Sequence, residues 1–112
     1  MPLKTREISY KTFGRVLAIE NDLIEIYVTL DAGPRIIRFG LVGGENFMFE
    51  DVNAEIVEKG KAFDDYFYKG AYWRTYGGHR IWLTPESMPE TYYPDNDSVD
   101  YKTDGNKITF TP

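Results

Sequence analysis

The sequence predicts an all-β protein of antiparallel, curved sheets, and three observations carry that expectation. Within residues 23–30, Ile24, Ile26, Val28 and Leu30 alternate with Leu23, Glu25, Tyr27 and Thr29 at the period of a strand. The other apolar runs are short and are separated by Gly, Pro and Asn/Asp turns. Aromatic residues, at 16% with nine Tyr, seven Phe and two Trp, suit half-buried pleated faces and exclude a disordered chain.

Taken in order, residues 8–13 are expected to form a first strand and Val16-Leu17-Ala18-Ile19 a second. Asn21-Asp22 then turns the chain into the strand at 23–30, so that residues 14–30 make a hairpin. The turn Asp31-Ala32-Gly33-Pro34 leads into residues 35–41, where Ile37, Phe39 and Leu41 are expected to share one face. Gly43-Gly44-Glu45 supplies a second tight turn, and residues 46–50 are expected to return as a further strand of the meander. Residues 51–72 keep no period of two and carry frequent charges, which predicts a long connection with a short helix in part of it.

Strand character returns at 80–84, with Arg80, Trp82 and Thr84 on one face and Ile81 and Leu83 on the other, and Pro85 and Pro89 limit its continuation. Residues 91–98 are loop-like. Residues 99–103 and 107–111 flank Asp104-Gly105-Asn106 as a last hairpin. Such an order of short strands points to an antiparallel sandwich or open curved sheet.

With 112 residues the chain is expected to be a single domain, 1–112, with any site built on one core. Eighteen acids against thirteen scattered bases give a formal charge of −5, which speaks against a nucleic-acid partner. The absence of cysteine rules out disulfides and thiolate metal sites. No stretch approaches the roughly 20 apolar residues of a membrane span, so neither a membrane partner nor a location other than the cytoplasm is expected.

Chemistry concentrates between residues 73 and 97. The one histidine, His79, follows Gly77-Gly78 and precedes Arg80, with Glu86 seven positions on. An imidazole there is available as acid, base or hydrogen-bonding partner, and the glycines would let backbone approach a ligand. The plainer alternative is a turn or bulge that His79 merely borders. Trp73, Arg74, Tyr76, Arg80, Trp82, Tyr92 and Tyr93 gather rings and guanidinium groups of the kind that stack on sugar C–H faces and bond hydroxyls, although burial of Trp82 between sheets would explain it equally well. Asp95, Asn96 and Asp97 offer oxygens to a calcium ion but lack the spacing of a calcium loop, and a surface turn needs the same residues. No phosphate loop, nucleophile elbow or zinc signature is present.

Two segments together, Thr29-Leu30-Asp31-Ala32-Gly33-Pro34-Arg35-Ile36-Ile37 and residues 76–86 followed by Thr91-Tyr92-Tyr93-Pro94-Asp95-Asn96, resemble the amino-terminal part of the galactose mutarotase-like superfamily, the aldose 1-epimerases and their relatives. The resemblance implies a β-supersandwich with the sugar on the concave face of its larger sheet. It also implies that this chain is the amino-terminal fragment of a longer protein, because the family's main catalytic His and its carboxylate base lie downstream of the Gly-Gly segment. One departure matters: the epimerases place a His, and related sugar-phosphate epimerases an Arg, immediately before the Gly pair, where this chain has Tyr76.

The expected function is therefore carbohydrate binding of the aldose 1-epimerase-like type, with mutarotation of a free sugar if the complete protein is active and none from these 112 residues. Arg35, Tyr76, His79, Arg80, Trp82 and Glu86 are the candidate sugar-binding residues; no catalytic residue, metal or cofactor is expected. The alternative is a non-catalytic β-sandwich module that binds glycan or protein and self-associates, a homodimer through exposed sheet edges covering what an unfinished sandwich leaves open.

Overall fold

A computed structural model describes residues 3–53, 57–74, 77–80, 85–88, 90 and 93–112. Four strands, β1 (Lys4–Ser9), β2 (Arg15–Glu20), β3 (Ile24–Thr29) and β4 (Ile36–Leu41), form one antiparallel sheet in sequence order, the expected meander. β5 (Val57–Lys59) and β6 (Tyr72–Arg74) pair as a short ribbon around the helix α1 (Lys61–Tyr66), and β7 (Asp100–Asp104) and β8 (Lys107–Thr111) form the last hairpin. The protein is thus mostly antiparallel β. Among the described residues no helix is long and apolar enough to cross a membrane.

The turns follow from local chemistry. Between β2 and β3, the Asn21 side chain accepts from the Leu23 and Ile24 amides at 3.1 and 2.9 Å, and Asp22 takes a left-handed φ of 76°, which a short polar side chain tolerates. The first strand ends at Ser9 and does not run to Phe13 as expected. Residues 10–14 close a tight turn, with Tyr10 N–H donating to Gly14 O and Phe13 N–H to Tyr10 O, which removes them from the ladder. Between β3 and β4, Thr29 N–H donates to Arg35 O at 2.9 Å while Arg35 N–H donates to the Thr29 hydroxyl at 3.0 Å, closing the loop through the cis Gly33-Pro34 bond.

Cross-strand register assigns the faces of the sheet. Val16, Ala18, Tyr27, Thr29, Glu25 and Arg38 share one face, and Leu17, Ile19, Ile26, Val28, Phe39 and Leu41 the other. The pairing slips between Tyr27 and Val28, where Arg38 and Ile36 are the partners and Ile37 is the extra residue. This bulge overturns the expectation that Ile37, Phe39 and Leu41 point the same way. Ile37 joins Phe13 and Val16 in the core on the Val16 face, while Phe39 and Leu41 stay on the Leu17 face and are exposed. β3 is also less one-sided than its pattern suggests. Ile24 is exposed, whereas Glu25 is buried because Arg38 Nε donates to its carboxylate at 2.8 Å.

Residues 46–50 are not the returning strand that was expected. The Asn46 side chain takes a strand's place: Oδ1 accepts from the Phe39 and Met48 amides, and Nδ2 donates to Ile37 O and Glu50 Oε1, at 2.9 to 3.1 Å. One side-chain amide thus copies a peptide unit at the β4 edge, and the chain beyond it need not run extended. Glu50 is fixed by the same network, accepting from the Tyr10 hydroxyl at 3.2 Å and pairing with Lys11.

The β7–β8 hairpin lies over part of the Leu17 face. Val99 N–H donates to Leu30 O at 2.7 Å, and the Tyr101 hydroxyl donates to Glu7, the cross-strand neighbour of Leu17, at 2.6 Å. Leu17 and Val28 are buried there, while Ile24, Phe39 and Leu41 at the far end are not. In residues 51–72 the expected short helix is α1, but β5 and the start of β6, which were not expected, make part of the connection strand. Phe63 of α1 and Phe67, just past its end, pack on Trp73 of β6. The expected strand at 80–84 falls, after Arg80, on residues outside those described.

Candidate functional site

Three of the expected sugar-binding residues come together where β4 begins. Arg35 follows the Thr29-closed loop, and its side chain is only 7% exposed. Its Nη2 donates to both oxygens of Asp95, at 2.9 and 3.0 Å, and its Nη1 to Gly77 O at 3.4 Å. Arg80 reaches the same carboxylate, Nη1 to Oδ1, at 3.3 Å. Two guanidinium groups therefore hold one carboxylate between them through charge-assisted hydrogen bonds, Arg35 reaching both oxygens from a single nitrogen.

His79 stands beside this group because its backbone pairs with Ile36 in both directions, His79 N–H to Ile36 O at 2.9 Å and Ile36 N–H to His79 O at 2.8 Å. The preceding glycines make that approach feasible. Gly77 and Gly78 have φ of 103° and 69°, and a Cβ on either would overlap a backbone oxygen, Phe49 O or Ile36 O respectively. The close approach anticipated for a ligand is thus made to the protein's own backbone, and the bridge-and-turn alternative describes the glycine pair. The His79 residue is exposed, and among the described residues no hydrogen bond joins its imidazole to a carboxylate.

Arg35, His79 and Arg80 line a cleft of roughly 370 Å³ together with Val28, Pro34 and Ile36 from the sheet and Ile108, Thr109 and Phe110 from β8. Glu86 is exposed and does not line it. Tyr76 and Trp82 lie outside the described residues. Asp95 is the residue that sequence reasoning gave to a turn. It stands sixty positions from Arg35, and no local pattern announces a counter-ion at that distance. Asn96, next along, donates to Tyr72 O at 2.9 Å, so both residues serve to fasten segment 93–99. Among the described residues no three His, Cys, Asp or Glu side chains gather as a metal site would need.

No family model, no curated protein and no solved structure matches this chain. What the site can do rests on its own geometry.

Of the expected aromatic group, Trp73 and Tyr93 are among the described residues, and both belong to one cluster around Phe67. Trp73 is partly buried against Phe63 and Phe67, with ring centroids 5.8 and 6.5 Å away, and serves packing between α1 and β6. Tyr93 continues the cluster through Phe67 at 5.4 Å and Tyr68 at 5.9 Å, and both tyrosines are exposed. A second polar centre on the Val16 face joins Glu50, Lys11, Tyr10 and Asn46. Burial alone would raise the Glu50 carboxyl's pKa, but hydrogen bonds from Asn46, Lys11 and Tyr10 outweigh it and hold the group below the ordinary glutamate value. Every member of that centre is engaged with another, which marks it as a fastening of residues 46–50 to the sheet.

Proposed function

We propose that this chain binds carbohydrate in the manner of the aldose 1-epimerase-like proteins and does not itself catalyse mutarotation, its sheets being part of a β-supersandwich. The observation that carries the proposal is the convergence of Arg35 and Arg80 on Asp95 beside a cleft that both arginines line together with His79. Guanidinium N–H groups donate to sugar hydroxyl oxygens, and a carboxylate accepts from sugar hydroxyls. Ring opening and reclosure would need an acid and a base positioned together, and His79 has no carboxylate bonded to it among the described residues. In isothermal titration, D-galactose or D-glucose is expected to bind in the millimolar range and Arg80→Ala to weaken binding about tenfold. Unchanged affinity in that variant refutes the placement. Polarimetry should show no faster equilibration of the α-anomers; an acceleration refutes the non-catalytic part.

A second reading, self-association as a non-catalytic module, is favoured by the exposed Leu23, Ile24, Phe39, Leu41 and Val42 at the uncovered end of the Leu17 face. Edge-to-edge pairing would fall to β1, since Asn46, Phe47 and His79 occupy the β4 edge. A two-fold axis through the middle of β1 sets Arg6 against its copy or Glu7 against its copy, and like charges directly opposite disfavour both registers. Light scattering on dilute protein tests this reading, a monomer counting against it.

A further inference from the structure

The cleft beside the Arg35–Asp95–Arg80 group joins charged walls to apolar ones. The apolar walls include Val28 and Ile36 on the sheet and Ile108 and Phe110 on β8, and Val28 is almost fully buried. The charged group is itself largely committed. A carboxylate has about four acceptor positions, and the guanidinium groups of Arg35 and Arg80 fill three of them on Asp95. A free hexose, hydroxylated all round, would set several hydroxyls against aliphatic side chains that neither donate nor accept, and each such group counts against binding. The β8 wall is held in place by the Val99 to Leu30 hydrogen bond and the Tyr101 to Glu7 hydrogen bond, so the apolar walls belong to the fold as much as the charged ones do.

We propose that the ligand of this cleft is a glycoside bearing an apolar aglycone. The glycone lies at Arg35, Asp95 and Arg80, and the aglycone runs along Ile36, Ile108 and Phe110. This rests on the carbohydrate reading and narrows it, because an amphipathic ligand matches both kinds of wall where a bare sugar matches one.

The test is titration of the whole chain with methyl β-D-glucopyranoside and with hexyl β-D-glucopyranoside below its aggregation concentration. The hexyl glycoside is expected to bind about tenfold more tightly, as burial of roughly a third of the added methylenes would give. Phe110→Ala is expected to bring the two affinities to within about twofold while leaving the methyl glycoside unaffected. Equal affinities in the native chain overturn the inference and leave the carbohydrate reading standing. Binding of 1-hexanol as tight as that of the hexyl glycoside overturns it as well, since the glycone would then contribute nothing. No binding of either glycoside overturns both. Amide shifts keep the inference testable should Phe110→Ala fail to fold: Ile108 and Phe110 of the native chain should move with the hexyl but not the methyl glycoside, and their immobility refutes the aglycone's place.

Discussion

Replacing Asn46 tests whether a single side chain stands in for a strand. Its amide makes four hydrogen bonds, to Phe39 N, Met48 N, Ile37 O and Glu50 Oε1. At about 1 kcal/mol net for each bond the sum approaches 4 kcal/mol, but the β4 edge can regain water, so Asn46→Ala should cost about 2–3 kcal/mol. In urea unfolding followed by circular dichroism, a shift of roughly 1–2 M in the midpoint is expected, with an unchanged slope. Asn46→Asp is the sharper variant. It keeps both acceptor bonds, loses both donor bonds and sets a second carboxylate where Nδ2 stood 2.9 Å from Glu50. At pH 7 it should be at least as damaging as alanine. Repulsion raises the folded-state pKa of that carboxylate pair, the folded state then binds the extra proton, and Asn46→Asp should recover relative to the native chain as pH falls towards about 5. A cost for Asn46→Ala below about 0.5 kcal/mol, or no recovery of the aspartate variant on acidification, would refute the strand-surrogate role.

Three further outcomes are expected. Glu50 has a depressed carboxyl pKa, so its contribution is complete above the ordinary value of 4.5 and is lost as pH falls through the lower folded value; Glu50→Gln should flatten the acid limb of the stability profile. Gly78→Ala forces a Cβ onto Ile36 O at positive φ and should cost about 2–3 kcal/mol, read as a fall of roughly 10 °C or more in Tm. Arg35→Ala removes the buried partner of Asp95 and should cost roughly 3–5 kcal/mol, whereas Arg80→Ala, with its side chain 25% exposed, should cost under about 1.5 kcal/mol in chemical denaturation.

The meander and the last hairpin were legible because their signals are local: period-two alternation in residues 23–30, the Asn21-Asp22 turn, and Gly105 between two strand-like runs. The bulge at Ile37 was not, since alternation in sequence says nothing about a slip against the partner strand. Residues 46–50 were misread for a related reason: Asn46 is an ordinary turn residue until β4 offers it two peptide groups. At the site, the gathering of Arg35, His79 and Arg80 was anticipated from two separate segments, but the carboxylate that joins the two arginines was not. Counter-ions are chosen by tertiary approach, and Asp95 looks like any other turn acid in the chain. Glu86 was chosen for closeness in sequence, which segment 85–88 does not convert into closeness to the cleft.

The hairpin over the Leu17 face gives the cleft a property beyond its lining. Val28 and Ile36 belong to a four-stranded sheet held by backbone ladders, bulged at Ile37, whereas Ile108 and Phe110 belong to a ribbon fastened to that sheet chiefly through Leu30 and Glu7. The cleft is thus a seam between a strongly and a weakly tied unit, and a molecule lodged in it is a stitch across the seam. Amide hydrogen exchange in β7 and β8 should therefore slow with ligand concentration, as RT ln(1 + [L]/Kd), while exchange in β2 and β3 stays nearly unchanged, and the ribbon itself becomes the reporter of occupancy.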